Sequence, residues 1–319
     1  MKARLIINPI SGTTNKDGLD RLVIDTLSPL GWEIETTYTR AHGDATRLAA
    51  EAADRGYEAV LAAGGDGTVN ETAAALCDTP LTLGIIPCGS GNGLARHLSI
   101  PIDIREGLRI ISTCPCRPID YATVNGRKFF CTCGVGFDAA VSAAFAEKKR
   151  RGPLTYLQST FQTYAKYRPE LYTITANGQR VTERAFLVAV CNASQYGNNA
   201  YIAPSATIDD GLLDVTIVHA GNTPSTALVG FDMLMGNIEH NMLVQTFRTH
   251  NLTIERTAPG VAHLDGEPLE LDDTLRIACH PGRLSVFAPL SDPEVKPFIT
   301  PATAMLADLK LAITKIFQK

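Results

Sequence analysis

The sequence has no apolar run near the roughly 18 residues that would span a bilayer, and its opening "MKARLIINPISG" is too short and wrongly flanked for a secretory leader. A cytoplasmic protein is expected. Excess positive charge is also missing: the formal net charge is -4, which argues against nucleic acid as the main partner. Eight cysteines are present but show no disulfide framework, and Cys77, Cys191 and Cys279 sit in apolar contexts. The pairs Cys114/Cys116 and Cys131/Cys133 depart from the usual C-x2-C spacing of zinc ligands. In "KFFCTCGVGF" alternate residues share one face of a strand, where small thiols suit a core. Internal repeats and low-complexity tracts are absent as well.

What is present is 319 residues, 45% hydrophobic and 19% charged, enough for two globular domains of roughly 100–200 residues each. The first 100 or so residues alternate strand-like and helix-like segments, from "ARLIIN" through "YEAVLAA" to "LTLGIIP", with Asp17 and Asp44 placed as helix starts and Gly31 and Gly56 as stops. Such a βαβ series predicts a Rossmann-like α/β domain with a mostly parallel sheet over residues 1–125. From about Arg127 the texture changes to short alternating runs, with "Ala-Asn-Gly-Gln" at 176–179 as a hairpin signal, so residues 126–290 read as an antiparallel all-β domain. Helix-prone stretches near 138–167 and 224–245 interrupt it. In the tail, 291–319, Met305, Leu306, Leu309, Ile313, Ile316 and Phe317 share one side of a helix over 303–318. That stripe suits packing back on the first domain or contact with a membrane.

Three turns share one composition: "NPISG" (8–12) after the first strand, "GGDGTVNE" (64–71) after the third, and "PCGSGNGLAR" (87–96) after the fourth. In an open α/β sheet ligands bind where such turns converge. Glycines allow close backbone approach, and helix-start amides favour phosphate, so a polyphosphate cradle is expected. Neither the P-loop pattern nor G-x-G-x-x-G after the first strand occurs. An aspartate among phosphate-binding amides would repel the anion unless a cation intervened, so Asp66 points to magnesium.

"GGDGTVNE" and "PCGSGNGLAR" together resemble the diacylglycerol kinase catalytic family, which includes bacterial soluble lipid kinases and, more distantly, sphingosine and ceramide kinases. The likeness continues through "RPIDYATVNGRKFFCTCGVGFDAAV", "CNASQYGNNAYIAPSATIDDGLLDV" and "HLDGEP", so it covers nearly the whole chain. "GGDGT" alone is shared with NAD kinases. The resemblance implies ATP in a cleft between the α/β domain and a β-sandwich domain. It carries nucleotide contacts onto Asn8, Ser11, Gly12, Thr39, Gly65, Asp66, Gly67, Thr68, Val69, Asn70, Glu71 and Ser90. The Gly89-Ser90-Gly91-Asn92-Gly93 stretch departs from the commoner Gly-Thr-x-Asn-Asp and is closer to the sphingosine and ceramide branch.

Read from residues alone, the Asp-Gly of "HLDGEP" is a hairpin turn, while an extended segment would let Asp265 and Glu267 face one cleft. The resemblance makes Glu267 the principal catalytic residue, with Asp265 its partner or the base itself. It also implies a magnesium site from the Asp210 carboxylate with Thr207 and Leu212 carbonyls, and a lipid head-group role for Asp120, against the simpler readings of a polar turn and a surface acid. Asp66 is expected to reach that metal through water. The run "EKKRRGPLTYLQSTF", with cations at 148–151, suits an anionic membrane surface as well as a solvated helix end. The expected activity is ATP- and magnesium-dependent phosphorylation of a membrane lipid, diacylglycerol first, at the inner face of the membrane. A sphingoid-base or ceramide kinase, an NAD kinase and an idle nucleotide-binding regulatory module are the alternatives, and a homodimer is left open.

Overall fold

The computed structural model describes residues 1–11, 16–148, 159–160, 162–290 and 295. Gly12, most of the basic run at 148–151 and the tail helix expected at 303–318 lie outside the described residues.

The first half is a parallel sheet with strand order β4-β3-β1-β2, from β1 (Lys2–Ile7), β2 (Glu33–Tyr38), β3 (Ala59–Gly64) and β4 (Thr82–Pro87). Strands β3 and β4 are buried along their whole length, because helices cover both faces and no residue can be polar on an open side. Alternation sorts the layers. Val60 and Ala62 pack under α2 (Asp44–Asp54) and α3 (Asp66–Leu76). Ala59, Leu61 and Ala63 pack under α1 (Leu19–Leu27) and α5 (Ile104–Thr113), while the five-residue α4 (Gly93–His97) follows the turn after β4.

The second half is antiparallel: β5 (Cys116–Val124), β6 (Arg127–Phe129), β7 (Thr132–Gly136), β8 (Glu170–Ala176), β9 (Gln179–Cys191), β10 (Leu213–His219), β11 (Val244–Thr249), β12 (Asn251–Arg256), β13 (Gly260–Leu264), β14 (Glu267–Leu271) and β15 (Thr274–Phe287). Helices α6 (Phe137–Ala146) and α7 (Thr223–Met235) lie in the stretches expected to be helical. The Asn177-Gly178 hairpin forms as its sequence predicts, with φ of 51° and 74°. Asn125-Gly126 makes another such hairpin between β5 and β6, so the expected division at 125/126 falls inside a turn.

Strand β15 belongs to both halves. Its first part pairs with β12, its last residues pair in parallel with β4 (Ser285 with Thr82, Val286 with Leu83), and β5 runs beside it throughout with a register shift between His280 and Leu284. The two sheets are therefore one continuous surface. Cys131 joins the first-half core and Cys133 the sandwich core, as alternation on a strand requires.

Candidate active site

The three glycine-rich turns meet because β1, β3 and β4 are neighbours. The Asn8 side chain donates to Thr68 Oγ1 at 3.0 Å, the Gly65 amide donates to Ser11 Oγ at 3.3 Å, and the Cys88 amide donates to the Gly64 carbonyl at 2.8 Å. A Cβ on Gly89 would stand 2.8 Å from the Cα of Gly65, so only glycine lets these turns pass so closely. Helix α3 starts inside the octet, at Asp66, and its leading amides have no side-chain cap. Those amides and the positive end of the helix dipole face the gap between the turns.

Within this cradle the predicted residues divide. Thr68 and Val69 point into the core, and Thr39 is buried with its amide donating to the Ile7 carbonyl. Ser90 is exposed at the tip of its turn. Glu71, expected to touch nucleotide, is instead occupied by the start of α2: its carboxylate accepts from the Gly43 amide at 3.0 Å and the Ala45 amide at 3.2 Å, and lies 2.5 Å from His42 Nδ1. The Asp66 oxygens accept from the Asn92 amide at 2.9 Å and the Gly93 amide at 2.7 Å, so backbone donors offset its charge among the described residues. The acid among the glycines is a clasp joining the second turn to the third.

Across the gap stands the β13–β14 hairpin. Asp265 and Gly266 form its two-residue turn, with φ of 50° and 84°, and Leu264 pairs with Glu267. The segment is thus a turn rather than extended, and the two acids diverge. Asp265 folds back and accepts four N–H bonds, from the amides of Phe130 (2.9 Å), Cys131 (2.7 Å) and Thr132 (2.9 Å) and from Asn70 Nδ2 (3.0 Å). Burial pushes its carboxyl up to about 6, with the three amides pulling the other way. Four donors leave no free geometry for taking a substrate proton, so Asp265 acts as an anchor and the reading of it as the base is corrected. Glu267 remains exposed, with Oε1 3.2 Å from where a Cβ on Gly67 would lie, so the carboxylate sits over the first turn of α3.

A buried network under this hairpin escaped the sequence reading. His263 Nε2 lies 3.0 Å from Asp138 Oδ2, which also accepts from the Tyr196 hydroxyl at 2.8 Å, and the Gly266 amide approaches His263 Nδ1 at 3.4 Å. These residues stand in motifs already noticed, "GFDAAV", "SQYG" and "HLDGEP", but nothing in their spacing pairs them. Between the halves a cavity of about 60 Å³ is lined by Asp66, Asn70, Tyr196 and Asp265 among others.

Residues 2–124 match the model of the diacylglycerol kinase catalytic domain, and residues 131–288 match that of the YegS C-terminal NAD kinase beta sandwich-like domain. The chain belongs to the diacylglycerol kinase catalytic domain family. A "Probable lipid kinase YegS-like" of Pseudomonas fluorescens is 31% identical over 279 residues, covering 86% of this chain and 91% of the relative. One of the same name from Xanthomonas oryzae is 32% identical over 302 residues, covering 90% and 96%. A crystal structure of a diacylglycerol kinase from Bacillus anthracis superposes with a TM-score of 0.68 at 21% identity, covering 91% of this chain and 97% of that one. Another structure from that organism reaches 0.76 at 24% identity over the same shares, and both likenesses concern the fold.

In this family member the carboxylate expected to hold magnesium already has protein partners. Asp210 Oδ1 accepts from the Leu212 amide at 3.0 Å, and its Oδ2 pairs with Arg248 at 3.1 Å. That pair is partly exposed, so a cation joining the Asp210 carboxylate and the Thr207 and Leu212 carbonyls would compete with the guanidinium for one carboxylate oxygen. Among the described residues no cluster of three or more His, Cys, Asp or Glu side chains could hold a metal. The head-group role of Asp120 is corrected for a related reason. It is only 1% exposed and accepts from the amides of Gly211 at 2.6 Å and Gly282 at 2.7 Å, fastening the 207–212 loop to the irregularity in β15. Burial pushes its carboxyl up against those two amides.

Proposed function

We propose that this protein transfers the γ-phosphoryl group of ATP to the hydroxyl of a membrane lipid, with diacylglycerol as the substrate and phosphatidic acid as the product. The observation that carries the reading is the placement of Glu267, an exposed carboxylate with no hydrogen-bond partner among the described residues, held over the uncapped N-terminus of α3. The α3 amides and the turn around Ser90 take up phosphate charge, while Glu267 accepts the hydroxyl proton as the oxygen attacks. Asp265 keeps the hairpin in place, and its bond from Asn70 ties that hairpin to the nucleotide side. Mg2+ accompanies ATP in this proposal as the counter-ion of its polyphosphate tail, and near the second domain it would share the Asp210 carboxylate with Arg248. Reaching a lipid hydroxyl requires transient contact with the inner face of the membrane.

Incubation with labelled ATP, Mg2+ and a total lipid extract, followed by chromatography, tests this. Label in phosphatidic acid is expected. Label in a sphingoid-base or ceramide phosphate would move the substrate to the other branch, and label in NADP with none in lipid would refute the reading.

A further inference from the structure

His42 was not singled out by any motif, yet it stands at the mouth of the proposed site. Its Nδ1 is anchored 2.5 Å from Glu71 Oε1, while the side chain is 87% exposed and Nε2 has no hydrogen-bond partner among the described residues. Glu71 and Gly67 are four residues apart on α3 and so share a face, about 6 Å from one another. Because Glu267 lies over Gly67, His42 and Glu267 flank the same opening, one helical turn apart. Glu71 and the α2 start thereby fix the imidazole with one nitrogen held and the other presented.

The charges facing it are Glu71 from α3 and Glu267 from β14. Its own loop adds Arg40 and Asp44, the latter's carboxylate being taken by the amides of Arg40 and Ala41 and by Arg47. Glu71 is held by the Gly43 and Ala45 amides and by His42 itself, so Glu267 is the exposed acid beside the place where an anionic tail would enter, and a cation at this edge would offset it. Lys16 is turned toward the Ser11 carbonyl and Arg96 toward the Gly91 carbonyl, while His42 is the cation-forming side chain fastened directly to α3 through Glu71.

We propose that His42 is a donor-binding residue that directs its Nε2–H at the triphosphate tail of ATP, taking the contact that sequence resemblance assigned to Glu71. This rests on the kinase reading. Hydrogen bonding to Glu71, with the charges of Glu71 and Glu267, raises the imidazole above its ordinary range. The contact is therefore complete at low pH and is lost as pH climbs through the raised value.

The test is the KM for ATP across about pH 6 to 9 in wild type, His42→Gln and His42→Lys. Wild type should show KM rising about five-fold with pH, the size of an exposed charge contact. His42→Gln should stay at the high value throughout, and His42→Lys at the low one, while the KM for lipid keeps one profile in all three. Identical ATP profiles in wild type and His42→Gln would overturn the inference while leaving the kinase reading standing. A wild-type protein that neither turns over ATP nor is stabilised by it would sink the kinase reading, and this inference with it.

Discussion

Replacing Asp265 by alanine should unfold the protein more readily, whereas replacing Glu267 should leave folding alone and abolish turnover. Asp265→Ala removes the acceptor from three backbone amides and from Asn70. A buried donor left without a partner costs about 1–3 kcal/mol, and this half-buried turn admits some water, so the low end applies to each amide. About 3 kcal/mol in all follows, or a fall in Tm of roughly 4–5 °C for a protein of this size. Glu267 makes no such bonds, so Glu267→Ala should melt within about 2 °C of wild type. Its kcat should fall by about 10²–10⁴, the range for losing a general base. Differential scanning fluorimetry beside the labelled-lipid assay reads both quantities. An Asp265→Ala protein that melts like wild type and is dead in the assay would refute the anchor role and return that residue to the chemistry.

Asp66→Ala should loosen the third turn by releasing the Asn92 and Gly93 amides, raising the KM for ATP with a Tm lowered by several degrees; unchanged values for both would remove the clasp. Asp120→Ala should lose about 2–4 kcal/mol in urea titration, since the amides of Gly211 and Gly282 would be stranded, yet the surviving folded enzyme should keep its KM for lipid. A raised lipid KM with wild-type stability would restore Asp120 to the head group. Gly134→Ala should accumulate as insoluble protein, because its Cβ would collide with the Asp138 carboxylate and lie 2.5 Å from His263 Nε2. Soluble protein with wild-type activity would show that the network beneath the hairpin tolerates displacement.

The strands and glycine turns of the first half were legible because each leaves a local trace. Continuous burial of "VLAA" reads as a covered parallel strand, and Asn177-Gly178 reads as a tight turn whatever surrounds it. Partners distant in sequence leave no such trace. Asp66 could be recognised as an acid needing compensation, but whether a metal or two amides 26 and 27 residues away supply it depends on how β4 and α4 approach. Asp265 illustrates the same limit: the local signal for a turn was correct, and it decides that the carboxylate folds back while Glu267, the next position but one, faces the gap. The burial of Asp120 left no local trace, because "RPIDYATV" alternates like a strand with one wet face, and only the passage of β15 and the 207–212 loop over that face closes it.

The split course of β15 bears on how the chain is made. Thr82 waits for Ser285 before β4 has a neighbour on its outer side, and Leu284 and Val286 are needed to complete the core beneath α2 and α3. At the usual pace of a ribosome, roughly 5–20 residues per second, the nascent chain carries an apolar open edge for roughly 10–40 s. The amino-terminal half is therefore not a unit that can finish folding as it emerges, and expressed by itself it should aggregate through β4.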